Sequence, residues 1–228
     1  MSKNLAAPGT KIKVWDFPLR IFHWSLAVCF LVSWASAELF DNAMQYHLYA
    51  GYATLVLILF RVLWGFFGST TARFKNFIRN FSATLRYAGS LREPHPGSQI
   101  GHNPLGGWMV IAMLGFLFAQ AGTGLFSNDD VSTQGPLAFW VSDTLSETLS
   151  GIHHQLFNFL LALIGLHISA ILFYRFFKHD NLVVPMITGY KRLPDGISVP
   201  ELRFVSTWFA VLLFGLVMVG VLVPISIA

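Results

Sequence analysis

The sequence predicts an all-α protein of the membrane, and three observations carry that prediction. Hydrophobic residues make up 54% of the 228 and charged residues only 11%, less than half the roughly 25% that solvates a soluble domain. Five stretches stay apolar over about the 20 residues a helix needs to span the hydrocarbon. Lysine and arginine cluster in alternate connecting segments and the span ends beside them. Strands do not fit, because the apolar runs are too long and unbroken for the alternation of a barrel, and backbone in lipid must satisfy itself. Too little polar sequence remains for a separate water-soluble domain, so residues 1–228 read as a single membrane domain. The single cysteine, Cys29, excludes a disulfide framework, a Cys-rich zinc site, a four-thiolate iron–sulfur cluster and covalently attached haem.

The first span is expected over 18–37. Its basic leader, apolar run and Ala35-Ser36-Ala37 also fit a secretory signal with its cleavage site, but a long leader containing Asp16 and Pro18 favours a retained helix. The second span is expected over 45–67. In the basic segment 71–92 that follows, Phe74, Phe77, Ile78, Phe81 and Leu85 recur at helical spacing opposite Lys75, Arg79 and Arg86. Such a pattern suits an interfacial helix lying on anionic lipid. Pro94, His95, Pro96 and Gly97 read as a turn, and the third span as 105–126. The fourth covers 143–177, its outer end extended by Thr144 and Glu147, which resemble a capping box. The fifth covers 205–227. Trp15, Trp64, Trp108, Trp140 and Trp208 sit near span ends, as an interfacial belt requires.

Charge orients these spans. Lys3, Lys11, Lys13 and Arg20 stand before or at the start of the first; Arg61, Arg73, Lys75, Arg79, Arg86 and Arg92 accompany the far end of the second; Arg175, Lys178, Lys191, Arg192 and Arg203 surround the fourth-to-fifth connection. The loops on the other side contain none, only Glu38, Asp41, Asp129, Asp130, Asp143 and Glu147. By the positive-inside rule the N-terminus is cytoplasmic and the C-terminus extracytoplasmic, in a multi-pass membrane protein.

Ionisable residues inside membrane helices are costly and mark function. His153 and His167 are 14 residues apart, which is about 40° short of four full turns, so they share one helix face with a rise of about 21 Å between them. One metal cannot bind both, but two sites offset across the bilayer would use both. His154 points about 220° away from His167. This makes His153 the ligand and leaves His154 to a propionate or solvent, unless a local helix distortion exchanges their roles. Topology pairs His47 with His153 at the outer end and His23 with His167 at the inner end. The second pair shows a depth mismatch of about 8 Å by helix rise, which tilt and snorkelling by Arg175 would absorb. Arg61 lies 14 residues beyond His47 and so shares its face; its guanidinium suits a carboxylate, although a positive-inside arginine would sit there too. Arg20, one turn before His23, is a weaker candidate of the same kind. Gly51, one turn after His47, would let a flat macrocycle approach the backbone. Gly115, Gly122, Gly124 and Gly165 are open to the same use, or to ordinary helix packing.

Histidine pairs in the membrane with no Asp, Glu or Cys beside them suit neutral imidazole ligation of haem iron, whereas zinc or non-haem iron sites recruit a carboxylate or thiolate as well. Val14-Trp15-Asp16 running to His23-Trp24, His47-x-x-x-Gly51 with Arg61-x-x-Trp64-Gly65, Gly101-His102-Asn103-Pro104-Leu105-Gly106, Thr123-Gly124-Leu125-Phe126, and His153 with His167 together resemble the bacterial cytochrome b561 family, including the cytochrome b subunits of nickel–iron hydrogenases. The resemblance runs from about Trp15 to Phe177. It implies a four-helix transmembrane bundle holding two b-type haems, with ligands matching His23, His47, His153 and His167. The fifth C-terminal transmembrane helix departs from the simplest members of the family.

Two histidines per iron leave no open coordination position, so such a haem exchanges electrons rather than activating oxygen. The resemblance supplies the termini, a quinone on one side and an extracytoplasmic redox protein such as a cytochrome, hydrogenase or reductase on the other. The expectation is therefore an electron-transfer subunit rather than an independent enzyme, without catalytic residues. It would hold two haem b and contact quinone and membrane lipid; nucleic acid is not among its partners, and its oligomeric state stays open. His102 would contact a propionate or quinone, or simply cap the third helix. A stand-alone oxidoreductase such as a superoxide-to-quinone oxidase is a rival reading, but outer loops without Lys or Arg argue against attracting an anion. A haem-free membrane anchor or transporter would leave the 14-residue spacings unexplained.

Overall fold

The computed structural model describes residues 9–93, 99–128, 133–193, 199 and 201–227. Lys3, the turn expected at Pro94 to Gly97, and Asp129 and Asp130 lie outside the described residues. In chain order the elements are β1 (Lys11–Lys13), α1 (Phe17–Glu38), α2 (Met44–Phe67), α3 (Phe74–Phe77), α4 (Phe81–Gly89), a 3-10 turn (Ser90–Arg92), α5 (Pro104–Gly124), a second 3-10 turn (Ala138–Trp140), α6 (Asp143–Phe177), α7 (Val183–Thr188), β2 (Tyr190–Arg192) and α8 (Thr207–Ile227). Among the described residues five helices, α1, α2, α5, α6 and α8, are long and apolar enough to cross a membrane.

Local chemistry starts three of the spans. The Asp16 carboxylate accepts the Leu19 N–H at 2.8 Å and so satisfies an orphan donor at the head of α1. Asn103 does the same for Gly106 at 2.7 Å, with Pro104 in the first helical position where its missing N–H costs nothing. At the head of α6 the acceptor is Ser142, whose hydroxyl receives the Leu145 N–H at 3.3 Å, in place of the expected Thr144 box.

Segment 71–92 is not the single surface helix that its spacing predicts. α3 stops at Phe77, Ile78 turns extended (φ −72°, ψ 123°), and Asn80 restarts the chain as α4 by accepting the Ala83 N–H at 2.8 Å. The break divides the apolar stripe: Phe77 is buried, while Phe81 and Leu85 on α4 are exposed.

The chain forms two compact units. The first comprises Met1–Ile21, Leu63–Ile111 and Ile164–Thr207. Here β1 pairs antiparallel with β2, Lys11 opposite Arg192 and Lys13 opposite Tyr190. Gly189, at the C-terminal end of α7, has φ +86°, and its carbonyl accepts the N–H of Val14 at 2.8 Å and of Trp15 at 3.1 Å. A Cβ at Gly189 would lie 2.9 Å from the Trp15 carbonyl oxygen, so both conformation and space require glycine. Trp15 and Trp64 are buried in this unit, 6% and 0% exposed, and do not belong to an interfacial belt. A buried indole N–H needs an acceptor, and Trp64 Nε1 donates to Asp16 at 3.0 Å. Tyr174 joins Tyr87 at 2.6 Å and accepts from the Asn103 amide at 2.9 Å. Burial raises the Tyr87 phenol above its ordinary pKa, and the Asp180 carboxylate adds to the rise while the bond to Tyr174 lowers it. Lys191 pairs with Asp180 at 2.7 Å, and Lys178 donates to the Glu93 carbonyl. Among the described residues every Lys and Arg but Arg61 falls in this unit.

The second unit comprises Phe22–Val62, Ala112–Leu163 and Trp208–Ala228. Its core sets Leu55 and Val56 of α2 against Val221 of α8, with Ala121, Leu125, Phe214 and Val217 packed around them. The Phe60 and Phe214 rings meet edge to face at 5.7 Å. The fifth span therefore packs on α2.

Candidate haem site

His47, in the first turn of α2, and His153, on α6, face one another within the second unit. Their ring centroids are 6.0 Å apart, with the planes at 73°. Each ring is anchored through Nδ1 to a main-chain carbonyl: His47 to Ser33 on α1 at 2.9 Å, and His153 to Gln120 on α5 at 2.9 Å. A carbonyl only accepts, so Nδ1 carries a proton in both rings, and in a neutral imidazole so held Nε2 is the nitrogen with the lone pair. Metal-ligating histidines are oriented in this way, and the bond raises ligand basicity.

The two rings line a cavity of about 220 Å³, together with Gly51, Gln120, Gly124 and Phe157. Nothing lies within 4 Å of where a Gly51 Cβ would stand, so that glycine leaves space open at the cavity wall. Gly124 is tighter: a Cβ there would lie 3.0 Å from His153 Cε1 and 3.3 Å from Nδ1. Gln120 Nε2 stands 3.1 Å from His153 Nε2, and Gln120 Oε1 is buried with no hydrogen-bond partner among the described residues. Two imidazoles facing one another across a shared cavity, a glycine wall and an orphaned amide oxygen fit haem. Gly124→Val is expected to press on the His153 ring and lower haem content with both histidines present, as haem-to-protein absorbance ratio measures; unchanged content would show that the ring yields.

The other sequence candidates fall as follows. His154 is exposed at the cavity rim, its ring centroid 6.3 Å from that of His153. His23 is partly buried on α1 within the second unit, edge to face with Trp24 at 5.1 Å. His167 is partly buried on α6 within the first unit. Arg61 is buried on α2, 2% exposed. Arg20 donates to the Ile187 carbonyl and lies over the Phe17 ring. His102 lies between aromatic rings, 4.7 Å from Trp15 and 4.6 Å from Phe77. Gly115 and Gly165 are exposed and open around their Cβ positions.

Sequence reasoning missed Ser33, Gln120 and Thr123. Thr123 and Gly124 stand in a quoted motif, but the acceptors at Ser33 and Gln120 are main-chain oxygens and have no side-chain signature.

The profile of the family described as prokaryotic cytochrome b561 matches residues 14–189. The chain is similar to the probable Ni/Fe-hydrogenase B-type cytochrome subunit of Azotobacter vinelandii, 26% identical over 223 residues that cover 82% of this chain and 90% of the relative. It is also similar to the probable Ni/Fe-hydrogenase B-type cytochrome subunit of Bradyrhizobium diazoefficiens, 25% identical over 219 residues that cover 81% of this chain and 87% of the relative. No solved structure matches it significantly. With the match running from the buried Val14 to Gly189, and so across both histidines of the cavity, the chain belongs to the prokaryotic cytochrome b561 family, the b-type cytochromes of membrane electron transport.

Proposed function

We propose that the chain is a dihaem electron conduit of the bacterial inner membrane, linking an extracytoplasmic redox protein to the quinone pool. The observation that carries this reading is the His47–His153 pair, each ring fixed by Nδ1 to a carbonyl, which makes Nε2 the candidate iron ligand, with the Gln120 amide giving up its contact to His153 Nε2. Bound haem supplies one-electron chemistry, and bis-histidine ligation leaves no position for oxygen. The chain's own part is to hold two imidazoles per iron, fix their tautomers and exclude water. The second pair is His23 and His167, supported by the 14-residue spacing on α6 and by helix direction. Arg61, among the buried residues of α2, is assigned to a propionate of that inner haem, where a guanidinium pairs bidentately with a carboxylate. The bundle of four helices then holds both haems, with α8 packed outside it.

The charge distribution supports an inward N-terminus and an outward C-terminus. Glu38, Asp41, Asp143 and Glu147 near the outer ends suit a partner with a basic docking face, and the names of the relatives make a hydrogenase the leading candidate. The test is haem stoichiometry of the purified protein by pyridine haemochromogen, followed by reduction with duroquinol. Two haem b per chain and quinol-reducible α-bands are expected. A single haem, a colourless protein, or haem inert to quinol overturns the reading.

A further inference from the structure

The two candidate ligands of the outer site are held by the same construction on different helices. His47 Nδ1 lies 2.9 Å from the Ser33 carbonyl oxygen. Ser36 Oγ, three residues further along α1, stands 3.2 Å from that same oxygen and 2.6 Å from the Val32 carbonyl. His153 Nδ1 lies 2.9 Å from the Gln120 carbonyl oxygen. Thr123 Oγ1, three residues further along α5, stands 3.0 Å from that oxygen and 2.8 Å from the Ala119 carbonyl. Each imidazole N–H thus meets a carbonyl that a hydroxyl also reaches from position i+3.

A carbonyl oxygen offers two lone pairs, and in a helix it already accepts the N–H four residues on. Each hydroxyl has one proton, held mainly by the nearer carbonyl of Val32 or Ala119 and shared with the Ser33 or Gln120 oxygen, and the share that reaches that oxygen draws on its remaining acceptor strength. The imidazole N–H is then held less strongly, and the ring is a weaker donor to iron than an unshared carbonyl would make it. A weaker donor stabilises ferric iron less. Thr123 Oγ1 is also 3.3 Å from His153 Nδ1, beyond the 2.7–3.2 Å of ordinary N–H···O bonds, so the carbonyl remains the principal acceptor and the donor role of the hydroxyl decides the sign.

We propose that Ser36 and Thr123 are paired positioning residues that raise the midpoint potential of the haem held by His47 and His153, acting through the carbonyls of Ser33 and Gln120. The proposal rests on His47 and His153 being axial ligands, so its test includes a control on that point. In spectroelectrochemical titration of the purified holoprotein, Ser36→Ala and Thr123→Val keep both haems and lower the midpoint of one, the same one in each variant. The double variant lowers it further, while Ser36→Thr and Thr123→Ser retain the parent value. A tenfold change in the oxidised-to-reduced ratio at fixed potential reads as 59 mV for a one-electron couple. Thr123→Ala replaces the valine variant where valine is not accommodated. An unmoved or raised midpoint, with His153→Ala still removing one haem, overturns the tuning proposal alone. Retention of both haems in His153→Ala overturns the ligand assignment beneath it.

Discussion

His153→Ala is expected to leave one haem b per chain in place of two, while His154→Ala keeps both. The two residues are neighbours, but it is His153 whose ring faces that of His47, with Nδ1 committed to the Gln120 carbonyl. His154 is exposed at the rim, with no comparable anchor among the described residues. His47→Ala should match His153→Ala, because one imidazole without its opposite partner does not complete six-coordination. Haem per chain by pyridine haemochromogen, with protein quantified separately, checks all three variants. If His154→Ala loses the haem and His153→Ala does not, α6 presents the other face and the assignment is exchanged.

Asp16→Ala is expected to be the most damaging single change in the first unit. One carboxylate does two jobs there, Oδ1 accepting Leu19 N–H at the head of α1 and Oδ2 accepting Trp64 Nε1. Loss of an N-cap costs about 1 kcal/mol, and a buried donor left unsatisfied costs about 1–3 kcal/mol. The sum of about 2–4 kcal/mol assumes that the fully buried Trp64 finds no water. Asp16→Asn retains an acceptor for the cap but turns an amide donor towards the indole N–H, so it should fall between alanine and the parent. Thermal unfolding of the solubilised protein, followed by tryptophan fluorescence, orders the three. A melting point for Asp16→Ala equal to that of the parent would mean that Trp64 is satisfied another way.

Spacing and direction made the proximity of His47 and His153 legible. His153 and His167 share a face because 14 residues make nearly four turns, and the sense in which α2 enters selects His47 as the partner of His153. What holds those rings was not legible, since Ser33 and Gln120 act through main-chain oxygens that any residue would offer. The same limit hid β1, β2 and α7, which are three to six residues long and exist because distant backbone completes them. Trp15 and Trp64 misled by position: near a span end an indole suits the lipid interface, yet Asp16, 48 residues before Trp64, turns the second indole inward. The division of segment 71–92 had a local signal in Asn80, a good N-cap, which the regular recurrence of phenylalanine and leucine concealed.

The ladder between Lys11–Lys13 and Tyr190–Arg192 has a consequence for biogenesis. At about 5–20 residues per second of translation, the amino-terminal strand waits on the order of 10 s or longer before its mate leaves the ribosome, and four hydrophobic segments enter the translocon in the interval. Closing that ladder is thus a late event of assembly. A chain truncated before Tyr190 would retain an unpaired strand edge that quality-control proteases can recognise.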